Sequence, residues 1–174
     1  LRIALIGNNT ADVVSLSRYI EKKHGFTRMS MLDGVRKTVR SLYFYKGYSA
    51  TQWEAQNNFY DALYKIDPNI WTKYLEYRLS KTDKNVVITH IRYSQEAKRL
   101  NELGFIIIRI SSPKKEVARS LAIKRRGQDP ADGTLLIQET FIQKNTPYKV
   151  EYSIYNDNKD NTKEQLDKII ANEV

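Results

Sequence analysis

Arg2-Ile3-Ala4-Leu5-Ile6-Gly7, then Asn8-Asn9-Thr10-Ala11-Asp12, then Val13-Val14-Ser15-Leu16 running on to Ile20 is the stretch that decides the fold. Residues 2–6 form a compact apolar run of strand length, Gly7 to Asp12 is turn chemistry, and Val13 to Lys23 carries apolar residues at helical spacing. A buried strand, a short polar turn and a helix in that order begin an α/β unit.

In such a unit the turn is the place for a phosphate-binding loop. That loop requires Gly, four free residues, then Gly-Lys and a hydroxyl, because glycine lets backbone N–H groups close on phosphate while lysine reaches the β and γ phosphates. Counted from Gly7, the second glycine falls on Asp12 and the lysine on Val13, with Ser15 near the hydroxyl position. Gly7, Asn8, Asn9, Thr10, Ala11, Asp12, Val13 and Ser15 therefore keep the frame of the loop without its two most telling residues.

Three further stretches follow in a telling order. They are Val86-Val87-Ile88-Thr89-His90-Ile91-Arg92-Tyr93-Ser94-Gln95-Glu96-Ala97, then Leu103-Gly104-Phe105-Ile106-Ile107-Ile108-Arg109-Ile110, then Tyr152-Ser153-Ile154-Tyr155-Asn156-Asp157 with Glu164-Gln165-Leu166. Together with the opening unit they resemble the deoxynucleoside monophosphate (dNMP) kinases of bacteriophage type, within the P-loop kinase superfamily. In that family Gly-Lys-Asp-Thr closes the loop, a Tyr-Leu-like pair ends the first helix, and a later strand ends in Asp-x-Arg-Phe before a helix opening with Glu. Ser15 and Tyr19-Ile20 match the first two features, and Arg92 matches the arginine. The likeness spans nearly the whole chain and is loosest from Phe26 to Asp83.

The resemblance implies roles for particular residues. Asp33, Arg36 and Lys37 stand where polar and basic groups face the nucleoside monophosphate, and Arg92 with Tyr93 stands where an arginine faces the substrate. Arg119, Arg125 and Arg126 stand on the lid, where arginines close over the phosphates. Arg92, Arg125 and Arg126 are the implied catalytic cations. Asn156-Asp157 matches the turn that approaches adenine. His90 occupies a position that is usually acidic, and a histidine cannot serve Mg²⁺ as a hard carboxylate does.

Composition sets the outer bounds. A chain of 174 residues with 41% hydrophobic and 28% charged residues is read as one domain, residues 1–174, with room for a substantial core. No apolar run approaches a membrane span, and the first residues lack the layout of a signal peptide. Cysteine is absent, which excludes disulfides and thiolate metal sites and fits a cytoplasmic protein, of a bacterial host if phage-encoded. The formal net charge of +9 favours anionic partners, a nucleotide or a nucleic-acid backbone. From Lys81 to Arg126, twelve basic residues face only Asp83, Glu96, Glu102 and Glu116. A homodimer is compatible with all of this.

Read in order, the chain continues with a short strand from Phe26 to Met31. A helix capped by Asp33 follows, with Val35, Val39, Leu42 and Tyr43 on one face. Lys46 to Ala50 breaks the pattern. Helices then run from Thr51 to Ile66, with Trp53, Phe59, Leu63 and Ile66 apolar, and from Asn69 to Ser80, with Asp67-Pro68 between them. Asn85 to Thr89 is a nearly continuous apolar strand, as in a parallel sheet covered on both faces. A crossover helix from Glu96 to Leu103 and a strand from Phe105 to Ile110 come next, then a helix from Lys114 to Arg126, a loop at Gln128 to Gly133 and a helix near Leu135 to Gln143. The strand at Tyr152 to Tyr155 and a helix from Lys163 to Ala171 close the chain. This alternation predicts a three-layer α/β/α fold around a parallel sheet of about five strands.

The replaced residues carry the functional expectation. Val13 offers no cation, and Asp12 puts a carboxylate where bare N–H groups should meet an anion; it is free instead to cap the helix through the N–H of Val14 or Ser15. The first expectation is a dNMP-kinase-like protein with a degraded ATP site, binding ATP and Mg²⁺ weakly or not at all and retaining dNMP binding. The second is an active dNMP kinase in which Lys22, Lys23 or a lid arginine replaces the missing cation. The third is a nucleic-acid- or protein-binding module on the same fold.

Overall fold

Both faces of a five-stranded sheet are covered by helices in the computed structural model, which describes residues 1–7, 10–42, 50–113 and 147–173, the side chains of 10, 11 and 50–53 excepted. The strands are β1 (Arg2–Gly7), β2 (Thr27–Ser30), β3 (Val86–Thr89), β4 (Ile106–Ser111) and β5 (Tyr152–Tyr155). Six helices are described: α1 (Thr10–His24), α2 (Asp33–Leu42), α3 (Ala50–Ile66), α4 (Ile70–Leu79), α5 (Ser94–Glu102) and α6 (Lys159–Glu173). All pairings are parallel, in the order β2-β3-β1-β4-β5, with Ile3 opposite Val87 on one side and Ile106 on the other. This is the expected three-layer α/β architecture.

The alternation of side chains along each strand divides the core in two. Ile3, Leu5, Val87, Ile108, Ile110 and Ile154 point to one face and pack with Val13, Leu16 and Ile20 of α1 and Leu166 and Ile170 of α6. Ala4, Ile6, Val86, Ile88 and Ile107 point to the other and meet Val35, Val39, Tyr60, Trp71, Leu75, Ala97 and Leu100 from α2 to α5. Every residue of β3 is buried, as its unbroken apolar run requires.

Several boundaries differ from those read in the sequence. α1 begins at Thr10, so Asp12 stands inside its first turn, in the third helical position. α5 starts at Ser94, two residues before Glu96, because the Glu96 carboxylate reaches back to the backbone N–H groups of Arg92 and Tyr93 at 2.8 and 3.1 Å. α6 starts at Lys159, where Asn158 Oδ1 accepts from Asp160 N at 3.0 Å. Leu42 and Ile66, expected on buried faces, are 65% and 80% exposed. Each is the last residue of its helix, where the apolar stripe outruns the surface it packs on. Tyr43, the break at 46–49, and the helices and loop expected between 114 and 143 lie outside the described residues. Among the described residues no helix is long and apolar enough to cross a membrane.

Candidate functional site

The first part of the site lies where β1 ends. Gly7 pairs with Ile110, and a Cβ there would stand 2.4 Å from the Ile110 carbonyl oxygen and 2.9 Å from Val13 Cγ2. Val13 is thus part of the packing that closes over the strand end, only 4% exposed among the core residues of α1 and β4. Asp12 accepts a hydrogen bond from Ser112 Oγ at 2.6 Å, which ties the first turn of α1 to the end of β4. Ser15 is exposed. Asn8 and Asn9 lie outside the described residues, and so do the side chains of Thr10 and Ala11.

A small cleft of about 60 Å³ opens beside this turn, lined by Asp12, Ser15, Tyr19, Asn156, Lys159 and Lys163 among others. Asn156 belongs to the scaffold of the cleft: it is 6% exposed, its N–H donates to Ser111 O at 2.8 Å and its Oδ1 accepts from Thr162 Oγ1 at 2.9 Å. Asp157 next to it is exposed. Lys22 and Lys23 occupy the last turn of α1, roughly 15 Å along the helix from Val13 at 1.5 Å per residue. Lys23 is there paired with Asp167 at 2.6 Å, so neither lysine stands in for a loop cation.

The second part is built at the carboxyl ends of β2 and β3, the edge at which open α/β sheets bind ligands. His90 leaves β3 with φ +62°, a conformation that side chains other than glycine seldom adopt. Its Nδ1 lies 3.0 Å from Ser30 Oγ and 2.9 Å from Thr89 Oγ1, and its Nε2 lies 3.5 Å from Arg36 Nη2. Asp33 accepts from Ser30 N at 3.0 Å and from Arg78 Nη1, with Arg36 at 3.8 Å, so its carboxylate pins α4 to the end of β2. Asp33, Arg36 and His90 are brought together; Lys37 is exposed on α2.

Beyond His90 the chain delivers Arg92 and Tyr93 to a buried polar network. The Arg92 side chain, 9% exposed as a residue, donates to Asn57 Oδ1 and to Asp61 Oδ1 at 3.4 Å, and its guanidinium lies 4.7 Å from the centre of the Tyr60 ring. Tyr93 Oη donates to Asp61 at 2.8 Å and its ring stacks on Tyr64 at 3.6 Å. Tyr60 donates to Glu96 Oε1 and stacks on Trp71 at 4.7 Å, while Trp71 Nε1 donates to Tyr60 O at 3.1 Å. Burial pushes the Glu96 carboxyl up to about 6, against the pull of the Tyr60 hydroxyl and the N–H groups of Arg92 and Tyr93. Burial raises the Tyr60 and Tyr93 phenols as well, helped by Glu96 and Asp61 respectively, so both stay protonated donors at neutral pH.

Asn57, Tyr60 and Asp61 were not singled out in the sequence. Their spacing of three and four residues puts them on one side of α3, which reads as an ordinary amphipathic pattern until α3 is docked on Arg92. The lid residues Arg119, Arg125 and Arg126 lie outside the described residues, as do six of the twelve basic residues counted between Lys81 and Arg126. No cluster of three potential metal-ligating side chains occurs among the described residues.

No family model and no curated protein sequence matches this chain. Solved structures do match its fold. A shikimate kinase from Bacteroides thetaiotaomicron superposes with a TM-score of 0.57 at 14% identity, covering 98% of each chain. A gluconokinase from Sinorhizobium meliloti gives 0.53 at 12% identity, over 95% of this chain and 94% of its own. A dephospho-CoA kinase from Campylobacter jejuni gives 0.51 at 15% identity, over 98% of this chain and 96% of its own. At these identities the likeness is one of fold. The chain has the three-layer α/β, P-loop kinase-like architecture.

Proposed function

We propose that this chain is a nucleotide-binding protein of the dNMP-kinase type. It keeps a monophosphate site at the β2–β3 edge, around Arg36, Arg92 and Tyr93, and its ATP site is degraded. The observation that carries this reading is Val13, a buried apolar side chain packed against Gly7 at the position that needs a lysine. Phosphoryl transfer depends on positioned cations that stabilise charge spread over the moving group. Asp12 adds a carboxylate to the same turn, and a negative group there opposes a triphosphate. A buried valine and a carboxylate in this turn do not fit ATP–Mg²⁺.

Calorimetric titration with ATP–Mg²⁺ and with the four common dNMPs tests the proposal. At least one dNMP binds and ATP–Mg²⁺ binds weakly or not at all. Tight ATP binding with steady ADP release overturns the degraded-site reading, and failure of every dNMP to bind overturns the nucleotide reading.

A second reading has one observation in its favour. Lys159 of α6 lines the same cleft as Asp12 and Ser15, so a cation from the other end of the chain is available to an active dNMP kinase, whereas Lys163 beside it is paired with Asp160 at 2.9 Å. A coupled turnover assay separates the two: no turnover on any common dNMP removes the active enzyme.

A further inference from the structure

His90 is the one described residue other than glycine with a left-handed backbone, at φ +62°. Such a conformation is costly and collects at binding sites, and here it stands at the carboxyl edge of the sheet. It sets the imidazole between Ser30 and Thr89 on one side and Arg36 on the other. Nε2 lies 3.5 Å from Arg36 Nη2, and a guanidinium can only donate, so Nε2 is an acceptor. The ring proton is therefore on Nδ1, with Thr89 Oγ1 at 2.9 Å and Ser30 Oγ at 3.0 Å to receive it. His90 is thus a neutral ring whose unprotonated nitrogen faces a cation. Solvent reaches this pair, since the Arg36 side chain is 32% exposed and His90 is half-buried.

The charged groups packed around this corner favour an anion. Asp33 of α2 gives one carboxylate oxygen to Ser30 N and to Arg78 of α4, and lies 3.8 Å from Arg36. Two guanidinium groups therefore share a single carboxylate. Arg92, two residues beyond His90, is turned to Asn57 and Asp61 of α3.

We propose that His90 and Arg36 form a proton-linked clamp on the phosphate of a bound nucleoside monophosphate, Nε2 taking a proton from solvent as the dianion docks against both. The inference rests on the nucleotide reading above and adds a residue and a proton to its phosphate site. A phosphate oxygen that accepts from Arg36 comes up to Nε2, and two acceptors repel unless one carries a hydrogen. Moving the ring hydrogen from Nδ1 to Nε2 would also meet the phosphate. The dianion favours the imidazolium over that neutral ring, because opposite charges stabilise each other and charge-assisted hydrogen bonds are the stronger ones.

The test is calorimetry of dAMP, dGMP, dCMP and dTMP binding to the parent and to His90→Asn. Asparagine tolerates the left-handed backbone and keeps polar atoms for Thr89 and Ser30, and urea unfolding checks that the variant folds. Buffers of different ionisation enthalpy count the protons taken up. The ligand's own second ionisation, near about 6, is common to both proteins and cancels between them. The parent is expected to take up as much as about one proton more per nucleotide bound than the variant, and its affinity to fall roughly tenfold further from about pH 6 to about pH 8. Equal uptake, or parallel pH profiles, makes His90 a strand-end residue with no part in the clamp and overturns the proposal. Should the variant fail to fold, uptake by the parent alone decides, and a value of zero overturns it. If the parent binds none of the four nucleotides, the nucleotide reading falls and takes this inference with it. If they bind with no proton linked to His90, this inference alone fails.

Discussion

Replacing Glu96 by Gln removes a charge from the centre of the molecule while leaving its shape. Glu96 is 0% exposed, and burial raises its carboxyl from 4.5 to about 6 even though three donors surround it. A carboxyl that is harder to ionise folded than unfolded takes up a proton on folding between those two values. Its contribution is therefore fully present below about 4.5 and is lost as the pH rises through about 6. A gap of roughly 1.5 units at 1.36 kcal/mol per unit amounts to about 2 kcal/mol. In Glu96→Gln the amide oxygen still accepts from the N–H groups of Arg92 and Tyr93, and the amide nitrogen can donate to the Tyr60 oxygen, so the network survives without the titration. Urea unfolding followed by tryptophan fluorescence, with Trp71 stacked on Tyr60 as a reporter, measures stability from about pH 4.5 to about pH 7.5. The parent loses about 2 kcal/mol more than the variant across that range. Asp67, Asp160 and Asp167 are held below the usual carboxylate range, so their titrations fall outside this window. Parallel pH dependence in parent and variant refutes the assignment of a buried, protonatable carboxyl to Glu96.

Gly7→Ala drives a Cβ against the Ile110 carbonyl oxygen, which is backbone and cannot swing aside; a loss of roughly 2 kcal/mol or more, read as a lower melting temperature, is expected, and an unchanged melt contradicts the close approach of β1 and β4. Asp167 accepts from Lys23, His24 and Tyr19, and these bonds outweigh its burial to hold it at about 2. Because its pKa is depressed, its contribution is present above about 4 and lost as the pH falls through about 2, so Asp167→Asn flattens the acid limb of unfolding and, with Lys23 half exposed and screened by solvent, costs about 1 kcal/mol at neutral pH. Asp12→Gly with Val13→Lys is expected to raise ATP–Mg²⁺ affinity in calorimetry by at least tenfold, about 1.4 kcal/mol, and to lower stability, since a lysine in place of the buried Val13 buries a charge with or without the change at Asp12.

The elements were legible wherever local chemistry governs them. The runs at 2–6, 86–89 and 106–110 are strands because they are too short for a helix and their β-branched and aliphatic residues suit a parallel sheet covered on both faces. The helices at Ser94 and Lys159 start two and four residues before the positions that periodicity marks, since Glu96 reaches back to the N–H groups of Arg92 and Tyr93 while Asn158, just before its helix, accepts from Asp160 N ahead of it. Leu42 and Ile66 are exposed although they continue an apolar stripe, because periodicity marks a face but does not say where the surface opposite it ends.

The sequence alone fixes the α/β class and the parallel sheet, because each strand, turn and helix is written in adjacent residues. The company Arg92 keeps is set by helix docking. Asn57 and Asp61 lie 35 and 31 positions away from it, on a helix whose pattern gives no sign of its partner. The Asn57 amide nitrogen is buried without a hydrogen-bond partner only once that helix docks, since hydrogen-bond satisfaction belongs to the three-dimensional neighbourhood and not to any local stretch.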